Sequence, residues 1–392
     1  MKTAVRALPA LAARPAVLHD ARALGRTVLG IAIGLTAFGL VMIYSWTAVK
    51  FADRRPRFDP DAVLRKQVVW ALLASAVGFV VSRVPLGWLR KRSTLLLGGL
   101  LVLLALTLVP GVGVLRNRSR RWLELGPFTL QASEFLKLAV IVYLADRLAR
   151  REEEPLEHRT PWPALLAPVG LGVGLILAQP DLGTSLFVAC LGVVLLGLAG
   201  IRFGKLLPLA LVAIPLIVAF AAANFRHVGE RLEFFTKGVE ADEQQWRGVV
   251  ALGSGGVLGT GLGAGTQKLG RVAEMQNDFI FTLIGEELGF VGCAAVVVAF
   301  MALVLYGKRI AERAHASAGL FPFFLACGAT FAVAFQALIN IAVATGSAPN
   351  KGVSLPFISV GGSSLVTAFA SVGLLVNVAR TVAQEEAGDP WS

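Results

Sequence analysis

The chain has 392 residues, 56% of them hydrophobic and only 16% charged, with a formal charge of +12 and a mean hydropathy of +0.70. Soluble domains carry about 25% charged residues, so this composition excludes a soluble fold and the functions that need one. The basic excess sits in short runs between apolar segments, which points to membrane lipids or a phosphorylated lipid as partners and not to nucleic acid.

Residues 1–23 are basic and Ala-rich and read as a cytoplasmic segment. The apolar run 24–47 is longer than a signal-peptide core and lacks a small-x-small exit, so it is expected to remain as the first helix. Runs long enough for the roughly 20 residues that cross a bilayer follow at 67–84, 86–109, 133–150, 162–179, 182–201, 205–223, 278–306, 319–346 and 355–383. They predict an all-α, polytopic membrane protein of about ten transmembrane helices over 24–383, with a long extracytoplasmic loop over 224–277 and a cytoplasmic tail over 384–392. No alternating strand pattern is visible, which sets a β-barrel aside. Lys and Arg are nearly balanced between the two faces, so the positive-inside rule barely decides orientation. Arginines such as Arg54, Arg55, Arg57, Arg116 and Arg118 on the nominal outer face need a reason, and phosphate binding supplies one. Cys190, Cys293 and Cys327 lie in apolar runs without metal-like spacing and read as small core residues.

Polar residues gather in four clusters at the nominal outer helix ends. Arg118, Arg120, Arg121 and Glu124 lead through Gln131 and Ser133 to Glu134 and Lys137. Lys137 stands about one turn inside an apolar run, where a charge is costly and usually functional. An i,i+3 ion pair with Glu134 is the plain account of it, and the neighbouring arginines make an anion site the other. At Gln179-Pro180-Asp181, proline ends one helix and Asp181 is placed to cap the next.

The long loop carries glycines from Gly253 to Gly265 without the GK[ST] ending of a phosphate loop. They are expected to let backbone approach a helix or a lipid head group. Lys268 and Glu274 follow, and Asp278 opens the eighth span at the membrane boundary. Thr282 and Glu286 come at i+4 and i+8, which predicts a polar face along that helix. Asp278 fits a helix cap, and a carboxylate partly desolvated at such a boundary also suits a general base. The fourth cluster, Pro349-Asn350-Lys351-Gly352 and the stretch 355–364 with Ser363, breaks the chain where the tenth span begins.

Four strings, RWLELGPFTLQASEFLKL, QPDLGT, NDFIFTLIGEELG and LPFISVGGSSL, resemble the SEDS family of shape, elongation, division and sporulation proteins, in family order and over nearly the whole chain. GLGAGTQKLG and PNKGVSLPFIS look more like its FtsW-type division branch than its RodA-type elongation branch. The resemblance implies a peptidoglycan glycosyltransferase that polymerises lipid II, in the cytoplasmic (inner) membrane with an extracytoplasmic catalytic face. It also implies a class B penicillin-binding protein as transpeptidase partner, beside other division-complex membrane proteins. The family's essential aspartate falls on Asp278. The family commonly reads Pro-Glu-x-His-Thr-Asp where this chain has Ala273-Glu274-Met275-Gln276-Asn277-Asp278, and Val360 replaces a usual Tyr. Asp278 is the expected base for the acceptor 4-hydroxyl, with Arg121, Glu134, Lys137, Lys268, Glu274, Lys351 and Ser363 as candidate substrate contacts. A divalent cation, Mg or Mn, held by Glu274 or Asp278 together with the phosphates is compatible with this chemistry, although no dedicated metal-ligand pattern accompanies them. A lipid II flippase is the rival reading; the lack of an internal repeat and the placing of polar clusters at one face weigh against it. A scaffold for the transpeptidase would leave Asp278 unexplained.

Overall fold

Backbone in lipid must satisfy its own hydrogen bonds, and the computed structural model answers with helices. It describes residues 20–52, 60–116, 119–126, 128–224, 229, 233, 237–238, 242–266 and 277–388. In chain order the helices are α1 (Ala21–Ala52), α2 (Pro60–Val81), α3 (Leu86–Leu108), α4 (Ala132–Glu153), α5 (Trp162–Ala178), α6 (Leu182–Leu198), α7 (Phe203–Asn224), α8 (Glu243–Ser254), α9 (Ile280–Arg313), α10 (Leu320–Ala344) and α11 (Gly362–Glu386). Among the described residues, seven helical stretches are long and apolar enough to cross a membrane, and α6 is a shorter apolar helix. The protein is an all-α polytopic membrane protein.

Three features differ from the sequence reading. A small antiparallel sheet, β1 (Val114–Arg116), β2 (Ser119–Leu125) and β3 (Phe128–Gln131), lies between α3 and α4, where no strand is predicted. Helix α8 sits inside the long loop, started by Asp242, whose side chain accepts from the N–H groups of Gln244 and Gln245. The last helix starts at Gly362 rather than near 355; the LPFIS stretch before it turns back on itself, with the Ser359 hydroxyl accepting from Leu355 N–H at 2.8 Å. Within that turn Phe357 adopts φ +67, held there by a buried edge-to-face contact with Phe369 at 5.5 Å.

Helix α11 is the axis of the molecule. Of its most apolar stretch 83% is buried inside the protein, against 22% for α3 at the rim. It packs on α1, α2, α4 and α10. Small residues make that possible: a Cβ on Gly373 would fall 2.4 Å from the Gly78 carbonyl oxygen, and one on Gly78 would fall 2.8 Å from that of Phe369. The open ends of α4, α6, α9 and α11 meet beneath the small sheet, and that junction is polar.

Candidate functional site

A cavity of about 400 Å³ lies at this junction, lined from five directions. Strands β2 and β3 contribute Ser119, Arg121, Trp122 and Gln131; α4 contributes Glu134 and Lys137; the α5–α6 turn contributes Pro180 to Thr184. Asn277 and Asp278 enter from the start of α9, and the 349–364 segment brings Lys351, Gly352, Ser363 and Ser364. Six of the eight sequence candidates, Arg121, Glu134, Lys137, Asp278, Lys351 and Ser363, therefore share one cavity. Lys268 and Glu274 lie outside the described residues, as does Arg118.

Strand geometry aims Arg121. Side chains two apart share a face of a strand, so Ser119 and Arg121 both reach the α5–α6 turn. The Ser119 hydroxyl donates to the Gln179 carbonyl at 2.7 Å, Arg121 Nε donates to the same carbonyl at 2.7 Å, and Nη2 donates to the Pro180 carbonyl. Its Nη1 lies 3.8 Å from Asp181 Oδ2. Gln179 in turn fastens this turn to the end of α3 through Thr107 Oγ1 at 2.6 Å. Asp181 does cap α6, accepting from Thr184 N–H at 3.1 Å. Its second oxygen also accepts from Gln131 Nε2 at 3.3 Å, so the residue read as a cap is a cavity wall as well.

Lys137 is 5% exposed and forms the i,i+3 ion pair with Glu134 at 2.8 Å. It also donates to Gln336 Oε1 at 2.8 Å and stands 4.6 Å from the centre of the Phe187 ring. Gln336 passes the network on, donating to Ser364 Oγ at 2.8 Å and to the Ser354 carbonyl at 3.1 Å. The Thr367 hydroxyl lies 3.2 Å from Glu134 Oε2, and the Ser363 hydroxyl accepts from Gln131 N–H at 2.9 Å. A buried charge is tolerable when hydrogen-bonded in this way.

Asp278 is partly exposed to the cavity. A Cβ on Gly352 would sit 2.9 Å from Asp278 Oδ2, so glycine there lets the carboxylate lie close against the backbone of the 349–364 segment. Asn340 holds the backbone behind it, donating to the carbonyls of Asp278 and Val353 at 2.8 and 2.6 Å. Lys351 passes over Gly183, where a Cβ would meet its Cδ at 3.6 Å and Asp181 Oδ1 at 3.7 Å. The cavity thus gathers three carboxylates, Glu134, Asp181 and Asp278, with the cations Arg121, Lys137 and Lys351. Such a set can take a proton from a hydroxyl and hold a phosphate. Among the described residues no three His, Cys, Asp or Glu side chains gather as metal ligands.

The predicted polar face of α9 is corrected. Only Asp278 reaches the cavity. Thr282 donates to the Phe279 carbonyl and is buried, and Glu286, 1% exposed, accepts from Thr266 N–H at 2.5 Å. The reason is that the helix begins at Ile280, so Asp278 stands outside its period, while the glycine-rich loop packs over Glu286. Sequence reasoning passed over Gln336 and Asn340. Their signal was present, two amides four residues apart on one face of an otherwise apolar helix.

A family model described as Cell cycle protein, named for FtsW, RodA and SpoVE, matches residues 26–384. The chain is 35% identical over 354 residues to a probable peptidoglycan glycosyltransferase FtsW of Geobacter sp. (strain M18), covering 90% of this chain and 95% of that one. Among solved structures, the rod shape determining protein RodA of Thermus thermophilus matches with a TM-score of 0.66 at 28% identity, covering 90% of this chain and 95% of that one. A structure described as the structural coordination of polymerization and crosslinking by a peptidoglycan synthase complex matches with a TM-score of 0.70 at 26% identity, over 91% of this chain and 97% of that one.

Proposed function

The chain belongs to the SEDS family of cell cycle proteins, and from that premise we propose that it is a peptidoglycan glycosyltransferase polymerising lipid II, with Asp278 as its general base. The observation that carries the reading is the sharing of one cavity by Asp278 and three cations, Arg121, Lys137 and Lys351. Ten membrane crossings, with the cavity mouth at the extracytoplasmic face of the cytoplasmic membrane, suit a lipid-linked substrate presented from the outer leaflet.

The reaction joins the 4-hydroxyl of an acceptor sugar to the anomeric carbon of a donor, and lipid pyrophosphate leaves. Asp278 takes the hydroxyl proton, and the cavity that its carboxylate lines admits the sugar oxygen. Charge on the departing pyrophosphate is met by fixed cations. Arg121 is held rigidly by two carbonyls of the α5–α6 turn, so little reorganisation is needed when the anion forms. Lys137 spends two of its three donors on Glu134 and Gln336, which leaves one for a ligand. The likeness to the FtsW protein supports work at the division septum, and the likeness to a synthase complex supports a crosslinking partner of the class B penicillin-binding type.

The test is to supply purified protein and its partner with lipid II in detergent. Glycan polymer is expected from the native chain and none from Asp278→Asn. Polymer at the native rate from Asp278→Asn would refute the assigned base, and no polymer from any preparation that nevertheless moves lipid II across vesicles would turn the reading to a flippase.

A further inference from the structure

The break in α9 at Gly289, where φ is +65, is filled by protein rather than lipid. Phe290 N–H donates to the Gly256 carbonyl at 2.9 Å and Val291 N–H to that of Val257 at 3.2 Å; in return Thr260 and Gly261 N–H donate to the carbonyls of Glu286 and Glu287 at 2.9 and 3.0 Å. Side chains would prevent this seating from both sides. A Cβ on Gly289 would fall 2.4 Å from Gly259 N, one on Gly259 2.1 Å from the Glu287 carbonyl oxygen, and one on Gly255 1.9 Å from that of Gly285.

The depth of this seat follows from α9 itself. Below the break, Phe290, Val291, Val298, Met301 and Leu305 are all exposed, a lipid-facing stripe that ends before the exposed ion pair of Lys308 and Glu312. From Lys308 up to Phe290 is 18 residues, about 27 Å at 1.5 Å per residue. That lies within the roughly 30 Å of bilayer hydrocarbon. The loop residues bonded to Phe290 and Val291 stand at the same height. Val257 and its neighbours Leu258 and Leu262 are exposed apolar residues, Leu258 80% exposed.

We propose that residues 255–262 form a re-entrant segment whose apolar tip, Val257, Leu258 and Leu262, rests against the acyl chains of the outer leaflet. Irregular backbone at that depth survives only where protein satisfies it, and the opened ladder of α9 does so here. Acyl chains are the occupant because the tip continues the lipid-facing stripe of α9 and its exposed polar residue, Thr260, spends its hydroxyl on the Glu286 carbonyl at 3.0 Å.

The test uses the full chain with Cys190→Ala, Cys293→Ala and Cys327→Ala, in vesicles of phosphatidylcholine and phosphatidylglycerol without any partner protein. A nitroxide on Leu258→Cys is compared with one on Met301→Cys, facing lipid, and one on Leu156→Cys, in an exposed connection between helices. Collisions with oxygen are expected to exceed those with a water-soluble nickel chelate at 258 and 301, with the ratio inverted at 156. Val257→Cys should repeat the result at 258. A ratio at both loop positions matching Leu156→Cys overturns the proposal, and would mean that the tip faces water until a protein covers it. Adding Gly289→Ala should unseat the segment and shift the ratio at 258 toward the aqueous value; an unchanged ratio would overturn the role of the break.

Discussion

Asp278 and Glu286 stand eight residues apart at one end of one helix, and the protein treats them in opposite ways. Asp278 is left partly open to the cavity, and Asn340 ties down its backbone. Glu286 is buried and spends its carboxylate on the backbone of Thr266, and its neighbour Glu287 meets the Ser45 hydroxyl at 2.8 and 2.6 Å. The difference teaches that a carboxylate in a membrane span marks importance but not chemistry. What separates the two roles is whether the carboxylate lines the cavity or is covered by protein.

The comparison breaks most sharply on Asp278→Asn. Polymer formation should fall by roughly 10² to 10⁴-fold, the contribution of a general base, while the melting temperature of the purified protein stays at the native value. Lys137→Ala comes next, since it strands Glu134 in a buried site; breaking such a pair costs roughly 3–5 kcal/mol. It should lower both thermal stability and lipid II affinity, and a loss of stability alone would remove Lys137 from the anion site. Glu286→Ala should invert the Asp278 pattern. Stability should drop by about 1–3 kcal/mol, the cost of orphaned buried donors, seen in a thermal melt, with activity at low temperature largely kept. The smallest effect is expected from Asn340→Ala, of about 1 kcal/mol. It acts on Asp278 through the backbone, so kcat should fall with KM unchanged in a polymerisation assay.

Much of this was legible because lipid is a strict solvent. A span needs about 20 apolar residues, so the runs predicted from sequence are where helices occur, and charges left near their ends mark the cavity. Arg121, Glu134, Lys137, Asp278, Lys351 and Ser363 converge because helix ends from distant parts of the chain meet at one height. The sheet escaped notice because its strands hold only three, seven and four residues and are fixed by pairing with each other rather than by a long apolar pattern. Helix α8 was obscured by Gly248 and Gly253, which lower helix propensity, although Asp242 was a readable cap. Glu286 was put on one face with Asp278 because the span was taken to open at 278, whereas the helix opens at Ile280 and the glycine-rich loop covers Glu286.

Trp70 of α2 occupies the space a Cβ on Gly362 would need, with ring atoms 2.2 to 2.5 Å from that point. The next two residues of α11 are Ser363 and Ser364, both on the cavity. Packed interiors pass displacement along instead of absorbing it, so a tilt of α2 is transmitted through that indole as a shift of the serines. The outer flank of α2, where Leu72 and Phe79 look into the bilayer, is therefore a lever on the chamber: whatever presses there can retune it without ever entering.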